Sequence, residues 1–185
     1  MTFKKMNLED FIEKYDGKQV EVAGSANAKF QCVDLANQWI KEGLGLPIIE
    51  WTDAKDFPSR AGDNFDFIKN TPLGVPEKGD LIVWNSNVGN SHGHIGIFIE
   101  GDVNSFVSFD QNYTYYQRCA IEGHTYLYVS GWLRPKKGEF MGEQSPTKEA
   151  YDACMKDREG FWKRLINLEE EVDRFLKELK IELNE

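Results

Sequence analysis

The sequence predicts an α+β fold: N-terminal helices packed on an antiparallel β-sheet, followed by a C-terminal helical segment. Three observations carry that prediction. Between residues 7 and 46 the apolar residues recur at helical spacing, and after residue 79 the period falls to two in runs rich in Val, Ile, Phe and Tyr. Helices first and strands later is the order of an α+β chain, not of an alternating parallel fold. Beyond a polar break the helical period returns.

The first element, "NLEDFIEKY", reads as a short helix capped by Asn7, with Leu8, Phe11, Ile12 and Tyr15 on one face. The small and polar residues of "GSANAKFQ" then form a loop. From Val33, the residues Leu35, Ala36, Trp39 and Ile40 mark a second helix, and Gly43, Gly45 and Pro47 stop it. Residues 47–78 alternate Pro, Gly and short helical fragments, with "TDAKDF" and "NFDFIKN" expected as turns of helix. The runs "GDLIVWN", "HIGIFIE", "SFVSFDQNY" and "TYLYVSGWLRP" read as strands. Between them "SNVGNSHG", "GDVN" and "RCAIEGH" read as connections.

Pro135, Gly138, Gly142 and Pro146 punctuate the break, which gives a domain over 1–137, a linker over 138–147 and an amphipathic helix over 148–185. In that helix Phe161, Leu165, Leu168, Val172, Phe175 and Leu179 make a heptad seam of under three heptads. Trp162, Ile166, Leu176 and Ile181 widen the apolar face. Self-association through residues 161–183 and packing on the chain's own domain are both open uses of it.

Composition narrows the function. The 185 residues are 41% hydrophobic and 13% aromatic, which suits one well-packed domain with an appendage. A net charge of −9 argues against an electrostatic grip on nucleic acid or on an anionic membrane. Cys32, Cys119 and Cys154 have no CxxC or zinc-type spacing, and an odd number in a chain this long suits a reducing compartment better than a disulfide framework. "MTFKKMNLEDF" lacks the apolar run of a signal peptide, and no stretch reaches the length of a membrane span. Synthesis in a cytosol is the expectation.

Cys32 stands where loop turns into helix. At a helix N-terminus the unpaired N–H groups and the dipole favour an anion, here a thiolate. A cysteine used as a small core residue is the commoner case, so the partners decide. A thiolate nucleophile needs a base, and the base needs a group to orient it. His94 begins a strand in "SHGHIGIF" and is preferred as base because the strand fixes it. His92, on the same side by parity, reads as a loop residue, and His124 in "EGHT" as a turn residue. Phe106, Ser108, Asp110 and Asn112 share a strand face. Either Asp110 or Asn112 can accept from an imidazole N–H, and a strand running out into a polar turn explains the pair equally well. Gln31 and the backbone N–H of Cys32 are donors for a developing oxyanion.

These residues resemble the CHAP domains (cysteine, histidine-dependent amidohydrolases/peptidases) of phage endolysins and bacterial wall hydrolases. The matching pieces are "FQCVDLANQW", "PEKGDLIVW", "GHIGIF" and "FDQNY", closed by "GWLRP", in the family's order within residues 7–135. The resemblance implies a papain-like fold and peptidoglycan as substrate. It assigns Cys32 as nucleophile, His94 as base, Asp110 as the group orienting it, Asn112 as a further polar member and Gln31 as the oxyanion-hole glutamine. Many relatives have Glu where Asp110 stands, which leaves Asp110 and Asn112 both as candidates for the contact with His94.

Some relatives bind calcium before the nucleophile through closely spaced Asp residues. Here that loop offers Asp16 and Glu21 without an Asp-x-Asp, so the site is expected to be absent or weak and no cofactor is assigned. The resemblance further implies a phage endolysin, an amidase or endopeptidase made without a signal peptide and reaching the wall after membrane breach. Two alternatives stand beside it. One is an amidase acting on a soluble substrate, and the other is a non-catalytic assembly or binding module that works through its C-terminal helix.

Overall fold

The computed structural model describes residues 5–114 and 116–136. The linker over 138–147, the helix over 148–185 and its self-association, and the position of Cys154 all lie outside the described residues.

Helix α1 spans Leu8–Tyr15, and the Asn7 side chain accepts from the Asp10 N–H at 2.8 Å. Such a cap is worth about 1 kcal/mol. Leu8 and Phe11 are buried from it, and the Phe11 ring meets Trp39 edge-on at 5.2 Å. Helix α2 spans Cys32–Glu42 and buries Val33, Leu35, Ala36, Trp39 and Ile40. Two polar residues on its buried side anchor the flanking loops. Asp34 accepts from the backbone N–H of Gln31 at 2.7 Å and of Val22 at 3.1 Å. Asn37 donates to Ser25 Oγ and the Ile49 carbonyl, and accepts from the Ile49 N–H. Buried polar groups are tolerated because each is bonded.

"TDAKDF" folds as predicted, into a 3₁₀ turn over Ala54–Asp56 running into α3, Phe57–Arg60. "NFDFIKN" does not. It forms strand β1, Phe65–Lys69, paired antiparallel with the last strand. Strands β2 (Leu81–Trp84), β3 (His94–Gly101), β4 (Ser105–Gln111) and β6 (Val129–Pro135) fall where the period-two runs place them. "RCAIEGH", read as a connection, is a strand instead: β5, Cys119–Thr125, pairs with β4 along its whole length.

The six strands form one antiparallel sheet in the order β1-β6-β2-β3-β4-β5. Central strand β2 is buried on both faces. Leu81 and Val83 join the larger core with α1, α2, Ile95, Ile97 and Phe109; Ile82 and Trp84 join a smaller one with Phe98, Phe106 and Trp132. No described helix is long and apolar enough to cross a membrane.

Candidate active site

Antiparallel pairing brings the start of β3 and the end of β4 to the same end of the sheet, and the N-terminus of α2 reaches that end. Cys32 is the first residue of α2 and is half-buried against the larger core. His94 is the first residue of β3 and is 4% exposed, with its ring packed edge-on to Trp84 of the smaller core at 5.2 Å. The thiol and the imidazole line one cleft of about 650 Å³, together with Gln31, Asp53, His92 and Asn112.

Two imidazole–carboxylate pairs border this cleft. In the inner one, His94 Nε2 lies 2.7 Å from Asp110 Oδ1, and Asp110 is 1% exposed. The carboxylate can only accept, so Nε2 carries a proton and donates it to Oδ1. Cys32 lines the same cleft and acts on the charge of this ring. With Nε2 taken by Asp110, Nδ1 is the atom left for the thiol. The outer pair is His92 Nδ1 and Asp53 Oδ1 at 3.0 Å, with His92 exposed and Asp53 half-buried. Gly93, between the two histidines, has φ +76°, and a Cβ there would meet the Trp84 carbonyl at 2.6 Å and the Lys55 nitrogen at 2.8 Å. Only glycine fits this link.

The electrostatics follow from burial and pairing. Burial alone would lower the His94 pKa, but Cys32 and the hydrogen-bonded Asp110 outweigh it and raise the imidazole to about 10. Burial alone would raise Asp110, but hydrogen bonds from His124 and His94, and their charge, hold it down at about 2. Cys119 is different: burial pushes its thiol up to about 12, and the thiol donates to Gln111 Oε1 at 3.1 Å.

Of the residues singled out in the sequence, Cys32, His94, Asp110, Asn112 and Gln31 converge at this end of the sheet. Between Asp110 and Asn112 the geometry chooses Asp110 as the partner of His94. Asn112 instead donates to Gln31 Oε1 at 3.1 Å and accepts from the Gln117 N–H at 2.9 Å, from a left-handed backbone with φ 59°. Gln31 donates one amide hydrogen to the Lys29 carbonyl at 2.7 Å. Its side-chain carbonyl is held by Asn112, and Gln31 lines the cleft. Glu21 pairs with Lys29 at 3.3 Å, and Asp16 caps α1. Among the described residues no three metal-ligating side chains cluster.

Sequence reasoning missed His124. It is buried on β5, and its Nε2 lies 3.2 Å from Asp110 Oδ2. It also missed Gln111, whose buried amide bonds Val20 N and O and the Gln31 carbonyl, tying the end of β4 to the segment before Cys32. In a strand read only by its apolar face, such an amide gives no signal.

A helix-borne thiol, a strand-borne imidazole and a buried carboxylate on an α+β scaffold define the class of cysteine-dependent hydrolases. Residues 22–112 match the family described as "CHAP domain". It is similar to endolysin PlyTW of Staphylococcus phage Twort, 30% identical over 130 residues that cover 65% of this chain and 27% of PlyTW. It is similar over 98 residues to trypanothione synthetase of Crithidia fasciculata, at 30% identity, covering 48% of this chain and 15% of that protein. The crystal structure of a wild type endolysin, LysIME-EF1, superposes with a TM-score of 0.57 and 25% identity over 70% of this chain and 64% of that one. The chain thus spans about a quarter of PlyTW.

Proposed function

We propose that this chain hydrolyses an amide bond of bacterial peptidoglycan by nucleophilic catalysis at Cys32, as the lytic domain of a phage endolysin. The observation that carries the reading is Cys32 and the hydrogen-bonded pair His94–Asp110 brought together at one cleft, which Cys32 and His94 line. The similarity to named endolysins supports the substrate.

Nδ1 of His94 takes the Cys32 proton, and the imidazolium is paired by Asp110. The thiolate sulfur attacks the amide carbonyl carbon, and its electrons move to oxygen. The N–H groups at the start of α2 and the side-chain amide of Gln31 receive that oxyanion. Collapse breaks the C–N bond, and the imidazolium gives its proton to the leaving amine. Water, deprotonated by the same Nδ1, then releases the acyl group from sulfur as a carboxylic acid and regenerates the thiol. Every proton in the sequence passes through His94, so the steps call for no metal.

A second reading, hydrolysis of an amide in a soluble conjugate, is favoured by the similarity to trypanothione synthetase. Digestion of purified Gram-positive walls, with mass spectrometry of the released fragments, separates the two. The proposal expects clearing by the wild type, unchanged by EDTA, no clearing by Cys32→Ala, and a new amine terminus that names the bond. Clearing by both proteins would remove Cys32 as nucleophile. Intact walls from several hosts, alongside turnover of soluble amides, would favour the second reading.

A further inference from the structure

The Asp110 carboxylate receives three donors, and only one of them is His94. Oδ1 takes His94 Nε2 at 2.7 Å. Oδ2 takes Ser108 Oγ at 2.5 Å and His124 Nε2 at 3.2 Å. We propose that His124, with Ser108, is a positioning residue: it pins the second oxygen of Asp110 so that the first meets the His94 ring in one fixed orientation. The inference rests on the reading of His94 as the base of the proposed hydrolase.

The physical argument begins with rotation. A carboxylate held by one oxygen can turn about its Cβ–Cγ bond, and the imidazole it orients turns with it. Holding Oδ2 from two sides removes that freedom. Asp110 has little room to escape. A Cβ on Gly96, directly over it on β3, would lie 2.3 Å from Oδ1, so the carboxylate fills the space that glycine leaves. The two imidazoles are boxed together. Trp84 packs on His94 at 5.2 Å and on His124 at 5.0 Å; Tyr113 packs on them at 4.9 and 4.6 Å.

His124 also bears on charge. The Nε2 of His124 at Oδ2 stabilises the anionic form of Asp110 from the side opposite His94. The titratable groups facing the pair are Cys32 from α2, His94 from β3, Tyr113 after β4 and His124 from β5, with Glu122 acting on Tyr113 from the same strand. Edge strand β5 thereby contributes to the site as well as closing the sheet. Phe106 on β4 stands opposite His124, which places the ring on the Asp110 face.

The test compares the full chain with His124→Phe, which keeps a ring and loses the donor, and with His124→Gln, which keeps an N–H donor that does not titrate. Two readouts are taken: kcat and KM on purified walls, and the titration of the His94 ring followed by ¹⁵N NMR. For His124→Phe the expected kcat is about 10–100-fold lower with KM little changed, and His94 titrates at lower pH. His124→Gln is expected to recover most of both. Wild-type kcat and an unmoved His94 titration in a folded His124→Phe protein would overturn the proposal. So would equal losses in both variants with His94 unmoved, which mark a packing role alone. Should the Phe variant fail to fold, Ser108→Ala removes the other donor on Oδ2 and is read in the same way. If the wild type itself leaves walls intact, the NMR titration still decides the positioning role, so that failure counts against the substrate and not against His124.

Discussion

Replacing Asp110 by Asn keeps its shape and takes away its charge. The amide would offer an N–H to one of two ring nitrogens that are both donors, so one imidazole must change tautomer. If that ring is His94, Nδ1 becomes protonated and no longer accepts from Cys32. A loss in kcat on the order of 10²–10⁴ is expected from a wrong tautomer. Steady-state kinetics on purified walls, with circular dichroism to confirm the fold, checks it, and activity within a few-fold of wild type would refute the tautomer argument. The residue scale also shows how much of the site the sequence displayed. Cys32, His94, Asp110, Asn112 and Gln31 are legible as candidates because each sits at a helix start, at a strand end or next to one, while the roles given to them come from the family resemblance. The choice between Asp110 and Asn112 was not, because it depends on the left-handed turn at Asn112, which swings that side chain toward Gln31.

At the scale of elements, α2 presents Cys32 at the cleft, and Asp34 secures the start of that helix. Its two oxygens satisfy the N–H groups of Gln31 and Val22, one from the residue before Cys32 and one from the loop behind it. Asp34→Ala would take the partner from the buried Val22 N–H and the half-buried Gln31 N–H, at a cost of about 1–3 kcal/mol. Thermal denaturation should show a lower melting temperature than wild type, with Asp34→Asn losing less because one acceptor survives. An unchanged melting temperature would refute that role. The same scale explains the two misread strands. β1 and β5 are the two edges of the sheet, and edge strands bury less of each face. In β1 only Phe65 is fully buried, and its spacing from Ile68 imitates a helix. In β5 only Cys119 and His124 are buried, so no apolar alternation is visible in "CAIEGHT". Misreading β5 as a connection is what hid His124. The central strands, buried on both faces or on one, were legible for the opposite reason.

For the molecule as a whole, the buried pair ties stability to pH. Asp110 is held at about 2 in the fold against an ordinary 3.8, so its contribution is present in full above 3.8 and is lost as the pH falls through that window. The shift corresponds to about 2 kcal/mol. His94, raised to about 10 from 6.5, contributes in full below 6.5 and loses that contribution as the pH rises toward 10. Denaturant titrations at pH 2.5, 5 and 7 should therefore show a steep acid loss in the wild type that is reduced in Asp110→Asn. Equal acid losses in the two proteins would place the acid sensitivity elsewhere.

The central claim is that Cys32 is the nucleophile, poised by His94 and Asp110. Iodoacetamide inactivation near pH 7, with peptide mapping of the labelled sites, tests it most directly. The account predicts that loss of wall clearing follows carbamidomethylation of Cys32 one to one, while Cys119, buried and with its thiol raised to about 12, stays unlabelled in the native protein. Full labelling of Cys32 with clearing intact would contradict it.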